Sequence, residues 1–278
     1  HTRLQGDWSS DVCSSDLDLG LSDELSRAVA ALGYESPTPI QAKSIPIVLM
    51  GRDILGSAQT GTGKTASFTL PMIEILATGR AKARLPRSLI LAPTRELAAQ
   101  VAESFEKFST HHKLSMALLI GGVSFVDQNA ALSKGVDVLI ATPGRLLDHF
   151  ERGKVLLNDV KILVIDEADR MLDMGFIPDV ERIVSLLPRM RQTLFFSATM
   201  SDDIQKLGHK FVMNPKVIEV APPSSTAETV TQHLIWTDVK SKRQTLRDIL
   251  RKEAVKNAVI FCNRKRDIAV LVKSLTRH

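Results

Sequence analysis

The chain has 278 residues, of which 44% are hydrophobic and only 5% aromatic, and its formal net charge is +5. This length exceeds that of a common single domain, so we expect one complete domain with a further segment, and the positive charge permits a polyanionic partner without requiring one. Two cysteines exclude a disulfide framework, and no apolar run approaches the length of a membrane span, so we expect a cytoplasmic protein without membrane contact.

The first seventeen residues differ in character from the rest of the chain. Residues 1–17 show no clear period, are rich in Ser and Asp, and lack the basic start and apolar stretch of a signal peptide. They are similar to translated vector or sequencing-adapter sequence. We therefore predict that residues 1–17 are a non-native segment and begin the fold at residue 18.

Two helices are predicted next. Apolar residues recur at helical spacing over 21–32, and Thr38 followed by Pro39 is typical of the N-cap and first position of a second helix. Gln41 then lies in a first turn, where its amide can donate and accept together, as the edge of an adenine requires, and Tyr34 offers a flat face for a base. The alternative is a capped surface helix with a solvated Gln41 and a packed Tyr34.

A glycine-rich turn ending in Lys-Thr joins an apolar strand at 53–55 to a helix predicted over 64–77. The glycines let backbone N–H groups face an anion, the helix N-terminus adds its dipole, Lys64 supplies a cation, and the Thr65 hydroxyl can bind Mg²⁺. The general pattern has Gly where Ala58 stands. The nucleotide-binding candidates of this turn are Ala58, Gln59, Thr60, Gly61, Thr62, Gly63, Lys64 and Thr65. The alternative is a strand–turn–helix connection without a ligand.

Further short apolar runs occur at 88–91, 118–120, 138–140, 162–165 and 194–196, and most are separated by helical stretches. This pattern is typical of parallel strands buried on both faces, so we predict an α/β domain. Polar motifs follow directly after these runs. Open parallel sheets bind their ligands at the carboxyl ends of the strands, so we expect the motifs to meet there.

An acidic run follows the strand predicted at 162–165. Asp166, Glu167 and Asp169 lie within four residues of one another, and carboxylates leaving a buried strand repel each other and lose solvation, so they need a cation. Mg²⁺ held with nucleotide phosphates would supply it, with Asp166 as ligand and Glu167 as the base that orients and deprotonates the attacking water. The alternative is a solvated acidic turn that begins a helix and is favoured by the helix dipole.

Seven motifs in a fixed order resemble those of the DEAD-box ATP-dependent RNA helicases, from about residue 19 to the end. They lie at 33–41, 58–65, 93–97, 121–122, 142–145, 166–169 and 197–199. The stretches 57–65 and 166–176 are most similar to the bacterial RhlE-type subgroup. The resemblance implies a RecA-like P-loop domain with a mainly parallel sheet flanked by helices, ATP and Mg²⁺ as cofactors, and RNA as partner.

The resemblance also implies roles in the nucleotide site. Tyr34 and Gln41 would stack on and recognise adenine, and Thr65 and Asp166 would hold Mg²⁺ through water. The catalytic residues would be Lys64, Asp166 and Glu167. The family carries an upstream aromatic residue that supports its adenine motif, and Asp16 stands at that position here.

A coupling group is implied as well. Ser197 and Thr199 would bond to Asp169 and link hydrolysis to the release of RNA. The RNA backbone would be contacted, without reading of base sequence, by Pro93, Thr94, Arg95, Gly122, Thr142, Gly144 and Arg145. Exposed N–H groups at strand-to-helix turns, with an arginine nearby, suit phosphates on physical grounds too. The alternative for the two arginines is an intramolecular ion pair with Glu96 or Asp148.

The domain organisation follows from composition and from the resemblance. Residues 18–220 are predicted to form the helicase ATP-binding domain, with its adenine motif at 33–41, and the Pro- and Ser-rich stretch 221–228 a linker. Residues 229–278 would form the start of a second, incomplete RecA-like domain. Its predicted elements are a strand at 232–236, a helix at 240–252, a strand at 258–263 and a helix at 264–275. The family's arginine fingers would lie beyond residue 278, so we expect a fragment that binds ATP and RNA weakly with little turnover.

Two other functions remain open at this stage. One is a nucleotide- and RNA-binding module without useful catalysis, which RNA-stimulated phosphate release would distinguish from a helicase. The other is a DNA-directed translocase on the same core. Competition between RNA and DNA strands would separate that function, because a protein that contacts the 2′-hydroxyl prefers RNA.

Overall fold

The structure is a computed structural model that describes residues 19–59, 61–79, 81, 85–220, 231, 233–252 and 255–277. The chain divides into two compact units, residues 1–222 and 223–278. The segment 1–17 and the linker 221–228 that the sequence predicts lie outside the described residues.

The first unit is built on a parallel sheet. Its strands are β1 (Ile54–Ser57), β2 (Ser88–Leu91), β3 (Met116–Leu119), β4 (Val138–Ala141), β5 (Ile162–Ile165), β6 (Gln192–Ser197) and β7 (Lys216–Glu219). Their order across the sheet is β3-β4-β2-β5-β6-β1-β7, and every neighbouring pair is parallel. The predicted α/β class is confirmed. The sequence analysis missed β7, an edge strand with one buried residue, Ile218, which leaves too little apolar signal.

Nine helices of the described residues cover this sheet. They are α1 (Asp23–Ala31), α2 (Pro39–Leu49), α3 (Lys64–Leu76), α4 (Arg95–Phe108), α5 (Phe125–Lys134), α6 (Pro143–Glu151), α7 (Ala168–Asp173), α8 (Ile177–Ser185) and α9 (Asp202–Phe211). Helices α1–α4 pack on one face and α5–α9 on the other, which gives two apolar layers. In β5, Ile162 and Val164 point into the first layer and Leu163 and Ile165 into the second, because successive side chains alternate across a strand.

The carboxyl edge of the sheet gathers the polar motifs. Helix α3 starts seven residues after β1 ends, α4 four residues after β2, and α6 and α7 within three residues of β4 and β5. Short connections of this kind keep each helix N-terminus close to the strand end that precedes it. Backbone N–H groups of the first helical turn have no partner within the helix, so this edge presents several donors to a ligand.

The second unit contains α10 (Lys242–Lys252) and α11 (Lys265–Arg277), and neither helix buries a residue. The strands predicted at 232–236 and 258–263 are wrong wherever the structure describes these residues, since 233–236 and 258–263 are irregular and Phe261 is 93% exposed. A strand forms when a neighbour pairs with its backbone and a core covers one face. Among its described residues, this unit offers neither.

Among the described helices, none has both the length and the hydrophobicity needed to cross a bilayer.

Candidate functional site

A cleft of about 380 Å³ opens beside the glycine-rich turn at the start of α3. Its walls come from the predicted adenine motif, the glycine-rich turn and the acidic run, which lie far apart in the sequence. The sequence-predicted residues that line it are Tyr34, Gln41, Gly61, Gly63, Lys64, Thr65, Asp166 and Glu167. The fold thus brings together residues that the sequence analysis connected only through chemistry.

The turn between β1 and α3 adopts a backbone that only glycine accommodates without strain. Gly61 and Gly63 have φ of 84° and 90°, and Gly63 is the N-cap of α3. A side chain at Gly63 would collide with the amide nitrogen of Gln41. The Thr62 hydroxyl donates to the carbonyl of Gln59 at 2.6 Å, which closes the turn on itself. Thr60, also predicted to bind nucleotide, lies outside the described residues.

Gln41 connects helix α2 to this turn. Its side-chain oxygen accepts from the N–H of Thr38 at 2.8 Å, and its nitrogen donates to the carbonyl of Gly63 at 3.2 Å. The residue is buried, so the alternative of a solvated glutamine does not hold. Each half of the amide retains capacity for a second hydrogen bond. Recognition of adenine by Gln41 stays a prediction. The structure shows in addition that the Gln41 side chain joins the start of α2 to the glycine-rich turn by hydrogen bonds.

Tyr34 lines the cleft and packs against the last residue of α4. Its ring meets that of Phe108 edge-on, with 6.0 Å between centroids, and 45% of the residue remains exposed. One edge of the ring is thus fixed on α4 while part of its surface faces solvent. This arrangement is compatible with stacking on a base and excludes a fully packed tyrosine.

Lys64 carries the most unusual charge of the cleft. The residue is only 5% exposed, and its amino group is buried without a hydrogen-bond partner among the residues that the structure describes. Burying an ammonium group costs on the order of several kcal/mol unless a nearby anion and hydrogen bonds compensate the lost hydration. A bound anion would supply that compensation, and the helix N-terminus beside Lys64 favours the same sign of ligand.

The acidic run provides the opposing wall. Burial raises the pKa of Asp166 to about 6, with the carboxylates of Glu167 and Asp169 acting in the same direction, while the charge of Lys64 lowers it. The Glu167 N–H donates to Asp166 at 3.0 Å, and Glu167 has φ of 53°, a left-handed conformation that costs a non-glycine residue energy. A buried Asp166 does not fit the alternative of a solvated turn.

The predicted coupling group forms only in part. Asp169 accepts from both the N–H and the hydroxyl of Thr199, at 3.1 and 3.2 Å. The expected bond from Ser197 to Asp169 is wrong, because Ser197 ends β6 with its hydroxyl fully buried and, within the described chain, unpartnered. The Ser197 carbonyl instead accepts from the N–H of Ala58 at 3.1 Å. Ser197 therefore anchors the start of the glycine-rich turn.

The predicted RNA-contacting residues lie after β2, β3 and β4, which are neighbours in the sheet. Thr94 caps α4 by accepting from the N–H of Leu97 at 3.3 Å. Thr142 is the N-cap of α6, and Gly144 in its first turn is exposed, with no described atom within 4 Å of the point where a side chain would start. The beginning of α6 is therefore open to a large ligand.

Two arginines hold the loop that follows β3. Arg95 donates to the carbonyl of Gly121 at 3.3 Å, and Arg145 donates to those of Ile120 and Val123 at 2.9 and 2.7 Å. Gly122 has φ of 80°, and a side chain there would collide with the Arg95 guanidinium. The alternative of ion pairs to Glu96 or Asp148 is wrong, since the ion pairs of the described residues include neither arginine.

One wall of the cleft was missed by the sequence analysis. Helix α4 contributes Leu97, Gln100, Val101, Ser104 and Phe108 to it. These residues recur every three or four positions on the helix that begins at Arg95, which is the only signal they leave. Their spacing is also that of an ordinary buried face, so the sequence could not separate the two functions.

Comparisons with known proteins agree with this geometry. The DEAD/DEAH box helicase family model matches residues 38–207. The chain is 40% identical, over 93% of its length and 55% of the relative's, to the DEAD-box ATP-dependent RNA helicase CshA of Geobacillus kaustophilus. It is 42% identical to the ATP-dependent rRNA helicase RRP3 of Ajellomyces capsulatus, over 95% of this chain and 55% of the relative.

The ATP-dependent RNA helicase RhlB of Pseudomonas putida is 41% identical, over 94% of this chain and 67% of the relative. The chain thus spans little more than half the length of the first two relatives. A solved DEAD box protein from the hyperthermophile Methanococcus jannaschii superimposes with a TM-score of 0.69 and 35% identity, covering 95% of this chain and 70% of that one. The RhlE-type subgroup stays a prediction. The chain belongs to the DEAD/DEAH box helicase family.

Proposed function

We propose that the protein is an ATP-dependent RNA helicase and that the first unit of this chain binds Mg²⁺-ATP and the RNA backbone. The observation that carries the proposal is the buried amino group of Lys64, which has no hydrogen-bond partner in the described part of the chain and shares a cleft with Asp166 and Glu167. A buried cation at a helix N-terminus, facing a buried Asp166 and a half-buried Glu167, matches the needs of a nucleoside triphosphate and its metal.

The nucleotide would lie along the cleft. Lys64 and the N-terminal N–H groups of α3 would bind the phosphates, and Tyr34 and Gln41 would take the adenine at the other end. Thr65 and Asp166 would hold Mg²⁺, and water and phosphate oxygens would complete its shell, because the described residues contain no group of three metal-binding side chains. Bound Mg²⁺ supplies positive charge that neutralises the phosphate oxygens.

Glu167 would perform the proton transfer. Its carboxylate lines the cleft beside Asp166, and it would orient the attacking water and accept its proton. Asp169, held by Thr199, ties the acidic run to the turn that follows β6. Since the Ser197 carbonyl holds the start of the glycine-rich turn, a shift after β6 would reach both walls of the cleft at once.

RNA would lie across the ends of β2, β3 and β4. The contacts proposed there are backbone N–H groups at Gly122 and Gly144 together with the guanidinium groups of Arg95 and Arg145. Such groups bind phosphates and leave base edges unread, so binding would be independent of sequence. The relatives' names give RNA as their substrate, which supports RNA over DNA.

Hydrolysis and unwinding are proposed for the whole protein, because the chain spans about 55% of the length of its first two relatives. A cytoplasmic location, where ATP and RNA are both available, is part of the same proposal.

The test is a titration of the 278-residue chain with a fluorescent ATP analogue and Mg²⁺, with wild type and Lys64→Ala side by side. We expect saturable binding by wild type and a large loss in the variant. Lys107→Ala is the matched control, because Lys107 is an exposed lysine of α4 paired with Glu103. Equal affinity of wild type and Lys64→Ala would refute the nucleotide site.

A further inference from the structure

A layer of side chains lies behind the loop formed by residues 120–123. Arg145 and His149 of α6 and Arg152, the residue that caps its C-terminus, are spaced i, i+4 and i+7, so they lie on one side of the helix. All three meet the ring of Phe125, the first residue of α5. The Cζ atoms of Arg145 and Arg152 lie 3.9 and 4.3 Å from the ring centroid, and the His149 ring lies 4.7 Å away.

Gln128 connects this layer to the loop. Its side-chain nitrogen donates to the carbonyl of Ile120 at 3.1 Å, and its oxygen lies 2.8 Å from Nε2 of His149. Because the nitrogen is committed to Ile120, the oxygen faces the histidine, and Nε2 carries the proton that it accepts. Gln128 and His149 are both buried, so this chain of bonds is shielded from water.

The histidine acts as a neutral hydrogen-bonding group. Burial is the main reason why the pKa of His149 is lowered to about 4; the charges of Arg145 and Arg152 act in the same direction, and that of Asp148 opposes them. The ring is therefore uncharged near neutral pH. Its Nδ1 atom lies 3.2 Å from Oδ1 of Asn129. Because the neutral ring carries its proton on Nε2, Nδ1 can only accept, and this pair forms a hydrogen bond when the Asn129 amide turns its nitrogen toward the ring.

The carbonyl of Ile120 is the point where the two supports meet. It accepts from Gln128 at 3.1 Å and from Nε of Arg145 at 2.9 Å. Ile120 directly precedes Gly121 and Gly122, whose backbone is a candidate phosphate contact. Removing either donor would leave the Ile120 carbonyl with the other as its remaining side-chain donor among the described residues.

We propose that Gln128 and His149 are positioning residues for phosphate binding: His149 fixes Gln128, and Gln128 together with Arg145 fixes loop 120–123 through the Ile120 carbonyl. The inference rests on the proposed RNA binding of this face. Neither side chain touches RNA itself, since both are buried behind the loop. Their effect is to hold backbone N–H groups in place before the ligand arrives, which lowers the entropy cost of binding.

The experiment measures binding of a short fluorescein-labelled oligouridylate to the full chain by anisotropy, over a series of salt concentrations. Gln128→Leu, which keeps the approximate volume and loses both bonds, is expected to weaken RNA binding roughly tenfold, since a lost buried hydrogen bond is worth about 1.4 kcal/mol. The slope of log affinity against log salt concentration should become shallower by about 1, the change expected when one phosphate contact is lost. Affinity for the ATP analogue should stay unchanged.

Histidine variants test the order of the relay. His149→Leu should weaken RNA binding like Gln128→Leu, whereas His149→Gln, which can place a donor near the position of Nε2, should restore most of the affinity. Leu132→Ala is the stability control, because Leu132 is buried on α5, the helix that carries Gln128, and belongs to the apolar layer formed by α5–α9. It should lower the melting temperature and leave RNA affinity at the wild-type value.

The outcomes separate the inference from the proposed function. RNA affinity retained in Gln128→Leu but lost in Arg145→Ala would overturn the positioning role and leave RNA binding standing. A loss in Leu132→Ala equal to that in Gln128→Leu would reduce the effect to general stability and would also overturn it. A wild-type chain that fails to bind the labelled RNA at low salt would overturn both.

Discussion

The carboxyl edge of the sheet has two halves that satisfy their charged groups in opposite ways. After β1, β5 and β6, the amino group of Lys64 is buried without a hydrogen-bond partner among the described residues, and Asp166 is buried with its pKa raised. After β2, β3 and β4, the guanidinium groups of Arg95 and Arg145 are at or near the surface and already donate to backbone carbonyls. We call these the nucleotide half and the RNA half.

The difference indicates what each half gains from its ligand. In the nucleotide half, the unligated chain carries the cost of buried charges, and a ligand that neutralises them removes it. In the RNA half, the charged groups are partnered before RNA arrives, so the ligand meets a surface that is already arranged. Binding there is expected to stabilise the fold little and to depend strongly on salt.

The halves meet between β2 and β5. Leu91 at the end of β2 pairs with Ile165 at the end of β5, and the N–H of Asp166 donates to the Leu91 carbonyl at 3.0 Å. Pro93, Thr94 and Arg95 follow directly on from β2. A displacement of this turn by RNA would therefore be transmitted to the metal-binding candidate through one strand pair.

The largest expected effect comes from Lys64→Met, which removes the charge and keeps most of the apolar stem. Affinity for Mg²⁺-ATP should fall roughly a thousandfold, or about 4 kcal/mol, because about two charge-assisted hydrogen bonds are lost. The unligated variant should nevertheless be more stable than wild type by about 1–2 kcal/mol and unfold at a higher temperature, because the cost of burying an ammonium group without a hydrogen-bond partner in the described chain exceeds its attraction to Asp166.

Analogue titration and thermal unfolding measure the two effects of Lys64→Met separately. Arg145→Met is the counterpart in the RNA half and should lower the melting temperature. A drop for both variants would erase the contrast between the halves, since it would mean that Lys64 is as well partnered as Arg145.

The next effect is the contribution of His149 to the loss of folding stability at acid pH. Its folded pKa of about 4 lies below the ordinary value of 6.5, so the unfolded chain binds more protons between these pH values. The stabilisation is complete above pH 6.5 and is lost as pH falls through 4, for a total of up to about 3 kcal/mol. His149→Gln should remove this contribution, while Asp166, whose folded pKa is about 6, titrates in the same window with the opposite sign in both proteins.

Urea unfolding at a series of pH values measures that contribution as the difference between wild type and His149→Gln. The pKa of Asp137 is also lowered, so its contribution is lost below its ordinary value of 3.8, outside the window assigned to His149. Parallel curves for the two proteins between pH 6.5 and 4 would show that the buried ring does not resist protonation.

Much of this comparison was visible in the sequence, and the remainder depends on contacts that leave no local signal. The strand runs and glycine-rich turn identified the parallel sheet and the cleft, because short apolar runs and positive-φ glycines constrain the chain locally. The layer formed by Phe125, Gln128 and His149 was missed. Its residues are ordinary helix members in the sequence, and only the packing of α5 on α6 brings them together.

The corrected predictions follow the same division. The family resemblance implied a bond from Ser197 to Asp169. An ion pair between Arg145 and Asp148 was the alternative to RNA contact, because the two residues are close in the sequence. The directions of the side chains decided otherwise. The strands expected at 232–236 and 258–263 failed wherever they are described, since apolar composition predicts a strand only where a neighbouring strand can pair with it.

Arginine substitutions sharpen the comparison within the RNA half. Arg145→Met should cost about 2 kcal/mol of stability, because it removes two backbone hydrogen bonds and the contact with the Phe125 ring. Arg95→Met should cost less than about 0.5 kcal/mol, since Arg95 is exposed and makes one long bond. Both should weaken RNA binding and lower its salt slope. Equal stability losses would indicate that the two arginines share one structural role.

The smallest expected effect concerns the turn after β6. In this part of the nucleotide half, a hydroxyl without a hydrogen-bond partner among the described residues and a hydrogen-bonded one lie close together in the sequence. Ser197→Ala should stabilise the unligated chain by up to about 1 kcal/mol, because it removes a buried hydroxyl that lacks a partner among the described residues. Thr199→Val should destabilise it by about 1 kcal/mol, because Asp169 loses one of its two donors there. The two substitutions are two residues apart, and chemical denaturation of each variant gives the sign directly. A loss of stability in Ser197→Ala would mean that the Ser197 hydroxyl is hydrogen-bonded in the unligated chain. The nucleotide half would then differ less from the RNA half, because one fewer of its buried polar groups would lack a partner.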